Sequence, residues 1–153
     1  MKKLLTILSL VLIPFCVFSQ QSKQKKAPLL AKFDDNVKLP LTTKERAQII
    51  EVYGDSAEKY VFSNPHRLKN IKQILRNRVK IKLITEEKDK KKCSKLSEIT
   101  INDGYVSGIK RDKVFNPKTF NPLKYNFEFY STVGSMIKVD NTNYYIIIKS
   151  QYH

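Results

Sequence analysis

The chain has 153 residues, room for one domain, and its 29 Lys and Arg against 14 Asp and Glu give a net charge of +15. Its 2 cysteines and 2 histidines form no zinc or other metal spacing, so neither a metal nor a cofactor is expected. Its 4 glycines are all readable as turn or bulge residues, with no phosphate loop and no nucleophile elbow among them.

The N-terminus reads as a targeting segment. Met1-Lys2-Lys3 is a short positive head, residues 4–18 are a mostly apolar run, and Val17 and Ser19 occupy the −3 and −1 positions for cleavage before Gln20. That is the pattern of a secretory signal peptide over residues 1–19. The rival is a membrane anchor, but the run is about 15 residues where a span takes roughly 20, and Pro14 interrupts it. Cys16 follows Ile13-Pro14-Phe15 as in a lipoprotein, yet Phe15 is bulky where a small residue is expected. The expectation is a Sec-exported protein, periplasmic or secreted, whose mature chain has no transmembrane span. Removing residues 1–19 takes away Lys2 and Lys3 and no acid, so +15 becomes +13. It also leaves Cys93 alone, so the domain stands on its core without an internal disulfide.

Most of the charge is lysine; the arginines are Arg46, Arg67, Arg76, Arg78 and Arg111. Lysine is a hydrated point charge, whereas arginine suits bidentate phosphate recognition. Two readings follow: a lysine-rich coat that keeps the domain soluble, or attraction to an anionic partner. Export makes nucleic acid an unexpected partner and favours an anionic glycan, lipid headgroup or acidic protein of the envelope.

Residues 20–38 begin polar, basic and aperiodic, and are expected to be a flexible linker. Thr42 and Glu45 then fit a capping box that opens a helix. Ala47, Ile50 and Tyr53 lie at helical spacing, widened by Ile49 and Val52, and Gly54 is placed to end the helix. Asp55 to Glu58 fit a second capping box and a short helix ending near Tyr60. Asn64 and Pro65 open a third helix as N-cap and first residue, with an apolar stripe of Leu68, Ile71, Ile74 and Leu75. Its other face carries His66, Lys69, Gln73 and Arg76, flanked by Lys72. This is a solvated face in the ordinary reading, and a basic docking face built on Lys69, Lys72 and Arg76 in the functional one.

Past Asn77 the period falls from 3.6 to 2. Val79, Ile81 and Leu83 alternate with Lys80 and Lys82 as a half-buried strand. Residues 85–95 read as a charged loop, 96–101 as a second strand, and Asn102-Asp103-Gly104 as a hairpin turn returning through 105–109. Phe115-Asn116-Pro117 and Phe120-Asn121-Pro122 are near-copies, with a looser relative at residues 62–65. Each is expected to be an extended corner. Phe115 and Phe120 then either plug the rim of the sheet or form an exposed aromatic lip. A meander follows, with strands expected around 127–129, 136–139 and 144–149. Ten of the Tyr and Phe residues fall at or after Tyr105, so the main core is expected in this C-terminal sheet.

The titratable side chains assemble no catalytic set. A Cys–His pair would need Cys93, in a charged loop that is a poor place to hold geometry, with His66 or His153. Glu51, Asp55 and Glu58 cluster near a helix junction where caps explain the last two. Glu128 shares its expected strand face with Asn126 and Tyr130, an outward polar position by alternation.

The elements predict one α+β domain over 39–153: two or three N-terminal helices, then an antiparallel sheet of five or six strands with the helices on one face. The expected function is a non-enzymatic binding or adaptor protein of the bacterial envelope. Its candidate binding residues are Lys69, Lys72, Arg76, Phe115, Phe120 and Tyr130. The alternatives are a hydrolase acting on an envelope polymer through carboxylates such as Glu128, and a structural or inhibitory partner of another secreted protein.

Overall fold

The computed structural model describes residues 34–86 and 93–151. The expected signal segment, most of the expected linker and the middle of the charged loop lie outside the described residues. The fold is α+β, with helices first and one antiparallel sheet after them.

Helix α1 spans Thr43–Tyr53 and starts as its sequence dictates. The Thr42 side chain accepts from the Glu45 amide, and the Glu45 carboxylate accepts from the Thr42 amide. Gly54 ends it with φ +51, a conformation that costs glycine nothing and other residues a good deal. The buried face differs from the expected stripe. Gln48, Ile49, Val52 and Tyr53 are buried, while Ala47 and Ile50 are exposed. The apolar pattern was wide enough to fit two faces one residue apart, and the tertiary partners chose between them.

A 3-10 turn, Gly54–Ser56, and a π-type turn, Glu58–Phe62, fill the place of the expected second helix. Helix α2, Pro65–Gln73, has Asn64 as its cap and runs on through a π-type turn over Ile74–Arg78. Ile71 and Ile74 are 3% exposed and join Ile49, Val52, Ala57, Val61 and Leu123 in one apolar cluster.

The sheet has three strands rather than five or six: β1, Val79–Leu83; β2, Ser135–Lys138; and β3, Tyr144–Ile148. Their order is β1-β3-β2, all antiparallel, with Ile81 opposite Ile146 and Ile137 opposite the same residue on the other side. Central β3 buries Tyr145, Ile146 and Ile148 to 1% exposure or less, as its unbroken apolar run requires. The β2–β3 turn is tight, with Asn141 at φ 54.

The missing strands have a local cause. Among residues 96–101, Leu96–Glu98 closes into a 3-10 turn, and the Arg111 guanidinium takes the Leu96 and Ile99 carbonyls that a neighbouring strand would have used. The Ser97 amide is likewise taken by Asp140. What remains is two isolated bridges, Lys95 with Lys138 and Ile101 with Tyr125. Residues 125–129 alternate inward and outward as a strand would, but Phe127 N donates to Tyr125 O at 2.8 Å and Phe129 N to Phe127 O at 2.7 Å. These are γ-turn bonds, so the Phe127 and Phe129 amides are satisfied within the segment, while the Asn126 amide reaches across to Thr100 O. The rings gain the packing instead: Phe120, Tyr125, Phe127 and Phe129 follow one another at centroid distances of 5.3–5.8 Å.

This aromatic row belongs to a second cluster with Ile137, Val139, Ile146 and Ile148. Val79 and Phe129 pack against both clusters and join helices to sheet. The three Asn-Pro corners share one device. The Asn side-chain oxygen accepts the amide of Arg67, Lys118 or Leu123, two or three residues ahead. Proline sets the preceding residue extended, and the asparagine caps the turn that follows. No helix among the described residues is long and apolar enough to cross a membrane.

Candidate functional site

The cations expected to form a docking face are divided between surface and interior. Lys69 is exposed. Lys72 is buried, its Nζ donating to the Val37 and Leu39 carbonyls at 2.8 and 2.7 Å. Arg76 is clamped on Glu45 and also donates to the carbonyls of Asn36, Leu39 and Pro40. Both therefore tie residues 36–40 to the helices. Val37, in the 3-10 turn Asp35–Lys38, is 3% exposed beneath them. A helix presents to solvent only those polar groups that no passing chain needs; here an incoming strand of carbonyls needed two of the three.

Phe120 is buried, and Phe115 packs half-buried against it with centroids 5.2 Å apart and against Tyr144 at 5.4 Å. The pair closes the rim of the sheet and offers no lip. Glu128 is exposed. The carboxylates that converge are Glu51 and Asp112, at 3.1 and 2.7 Å from the buried Lys124 ammonium. Burial disfavours that charge, but Asp112 and Glu51 offset it and hold Lys124 above its ordinary value. The three side chains clamp α1 to residues 112 and 124. Among the described residues no three His, Cys, Asp or Glu side chains gather as metal ligands.

Tyr130, 59% exposed, lies at a different place, the mouth of a cleft of about 500 Å³ between α2 and segment 123–130. That volume is within the range of small-ligand sites, roughly 300–1,000 Å³. One wall is α2 with its cap: Asn64, His66, Arg67, Asn70, Ile71 and Ile74. The other carries Tyr125, Asn126, Phe127, Phe129 and Tyr130, with Tyr53, Asn102 and Leu123 completing the lining. No Asp or Glu is among these residues.

Arg67 is the charged centre of the cleft. Its Nη2 donates to the Tyr105 hydroxyl at 2.9 Å and the Tyr53 hydroxyl at 3.3 Å. Its guanidinium carbon lies 5.2 Å from the Tyr53 ring centroid and 5.6 Å from that of Tyr105. Burial works against the charge, but the two phenols more than offset it and keep Arg67 above its ordinary value. No carboxylate pairs with it among the described residues. An arginine has five N–H donors in a rigid fork, and neutral phenols use only part of that fork.

Sequence reading placed Tyr130 in a candidate role but passed over Arg67, Asn70 and the cleft. A signal was present. Arg67 is four residues before Ile71 and seven before Ile74, so it lies on the core side of α2, where a cation needs a reason. The opposite wall showed its period-2 alternation in the sequence, but not that it would face α2 across a gap. Comparison with family models, with curated proteins and with solved structures finds no match.

Proposed function

We propose that this chain is an exported, non-enzymatic binding protein of the bacterial envelope that captures an anionic component in the cleft around Arg67. The observation that carries this reading is an arginine that has no carboxylate partner among the described residues, in a cleft whose described lining holds aromatic rings and no acid. Desolvated by its surroundings and only partly satisfied by two phenols, the Arg67 fork is poised for a bidentate anion. The high lysine content then has a second use, raising the local concentration of anions around the site. Lys69 is exposed but does not line the cleft; Lys72 and Arg76 serve the fold.

The test is binding of the purified protein to anionic envelope fractions as a function of salt. Affinity is expected to fall steeply as the Debye length shrinks from about 10 Å at 0.1 M to about 3 Å at 1 M salt. Arg67→Gln is expected to lower affinity about 10- to 100-fold, the equivalent of one charged hydrogen-bonding site. Salt-independent binding, or unchanged binding by a folded Arg67→Gln protein, would overturn the reading.

A further inference from the structure

Alongside Arg67, the cleft holds four asparagines, Asn64, Asn70, Asn102 and Asn126. Each uses one end of its amide to hold the fold. Asn64 Oδ1 accepts from the Arg67 amide. The Asn102 side-chain nitrogen donates to Leu123 O, and that of Asn126 to Thr100 Oγ1 and Ile101 O. The Asn70 nitrogen lies 3.3 Å from His66 Nδ1. The other ends, three carbonyl oxygens and the Asn64 NH2, have no partner among the described residues. The amides are thus oriented by the protein at one end and open at the other.

Open amide ends read hydroxyl groups, because a carbonyl accepts and an NH2 donates in fixed directions. Flat aromatic walls suit the C–H face of a saturated ring, since the ring face carries negative charge and a C–H edge positive. A single guanidinium with no carboxylate partner among the described residues suits one carboxylate. A lipid headgroup asks for clustered cations and an apolar slot for its chains; an acidic peptide asks for several cations in a row. The cleft has instead one arginine, one histidine, four asparagines and aromatic faces.

Resting on the anion-capture reading above, we infer that the cleft binds an acidic saccharide: one uronic-acid unit whose carboxylate sits on the Arg67 fork and whose hydroxyls meet the open ends of Asn70, Asn102 and Asn126. Tyr130, at the exposed mouth, stacks the sugar that follows.

The experiment is a calorimetric or NMR titration of the purified chain with four probes. These are a disaccharide containing one uronic acid, the same disaccharide with its carboxyl reduced to the alcohol, inorganic phosphate, and phosphatidylglycerol vesicles. The uronate disaccharide is expected to bind tightest, with the reduced form at least about 10-fold weaker, the lower bound for losing a charged hydrogen bond. Asn70→Asp, close in size and placed on a solvent-reached part of α2, sets a carboxylate in the cleft and gives up only the exposed contact with His66 Nδ1. It is expected to weaken the uronate about 10-fold more than it weakens the reduced disaccharide, because only the uronate meets the new charge with its own, which keeps the test intact if Arg67→Gln fails to fold. Equal binding of the two disaccharides overturns the carboxylate contact. Phosphate binding as tightly as the uronate overturns the sugar while leaving anion capture standing, and so do vesicles that bind when the disaccharide does not. Failure of every anionic probe overturns both this inference and the reading it rests on.

Discussion

Arg76 holds Glu45 with two nitrogens, Nε 2.5 Å from Oε1 and Nη2 2.7 Å from Oε2, across 31 residues of sequence. The same Glu45 carboxylate accepts from the Thr42 amide, so one acidic side chain caps α1 and anchors the end of α2. The Arg76 hydrogen bond, against the cost of burial, holds the Glu45 carboxyl down to about 2 from an ordinary 4.5. The folded value is depressed, so its stabilisation is complete above pH 4.5 and is lost as pH falls towards 2. At 1.36 kcal/mol per pH unit this is about 3 kcal/mol. Melting temperatures between pH 7 and pH 2 are expected to fall through that window. Glu45→Gln is expected to be less stable at pH 7 and to show a flatter acid limb; a parallel limb would remove Glu45 as the cause. Arg76→Glu, which sets two buried carboxylates face to face, is expected to cost more than either neutral change.

Asn121 is 2% exposed and makes three contacts. Its Nδ2 donates to Gln48 O and Glu51 Oε2, each at 2.9 Å, and its Oδ1 accepts from the Leu123 amide at 3.1 Å. Asn121→Ala is expected to cost about 1–3 kcal/mol through unmet buried partners. Asn121→Asp replaces the donor to Glu51 with a second negative charge and is expected to be worse at pH 7. Urea unfolding of the two variants checks the order.

Ile146 and Ile71 are 0% and 3% exposed in the sheet and helix clusters, while Val114 is 81% exposed. An unpaired charge in a core costs several kcal/mol, out of the 5–15 kcal/mol that holds a typical domain together. Ile146→Asp and Ile71→Asp are therefore expected to prevent stable folding, and Val114→Asp to melt like the parent.

Gly54 combines φ +51 with crowding, since a Cβ there would lie 2.8 Å from Val106 Cγ2. Gly54→Ala is expected to cost about 1–3 kcal/mol from the strained backbone. It is also expected to push residues 105–106 away from α1, where the Tyr105 ring packs tilted on Tyr53 with centroids 4.6 Å apart and holds Arg67. Amide exchange of this loop, compared with that of β3, shows whether the change is local.

Cleavage before Gln20 predicts an exported species lacking residues 1–19. Intact mass of the protein recovered outside the cytoplasm decides it, and a mass that retains Met1 would rule the processing out.

The features legible in residue order alone are local. The Thr42–Glu45 box, the Asn64-Pro65 start, the Gly54 stop and the apolar runs of β1 and β3 each depend on residues within one or two turns of each other, and each appears in the structure. The tertiary structure decided everything that depends on which groups meet. Ile49 rather than Ile50 faces the core, because both fit the helical period and only the partners differ. Lys72 and Arg76 turn inward because residues 36–40 bring carbonyls that need donors. Three strands form where five or six were expected, because Arg111, Asp140 and the γ-turns of 125–129 satisfy backbone groups before a ladder can. The cleft around Arg67 belongs to the same class. Its two walls lie more than fifty residues apart in sequence, and a cavity is a property of the gap between elements, which no local pattern encodes.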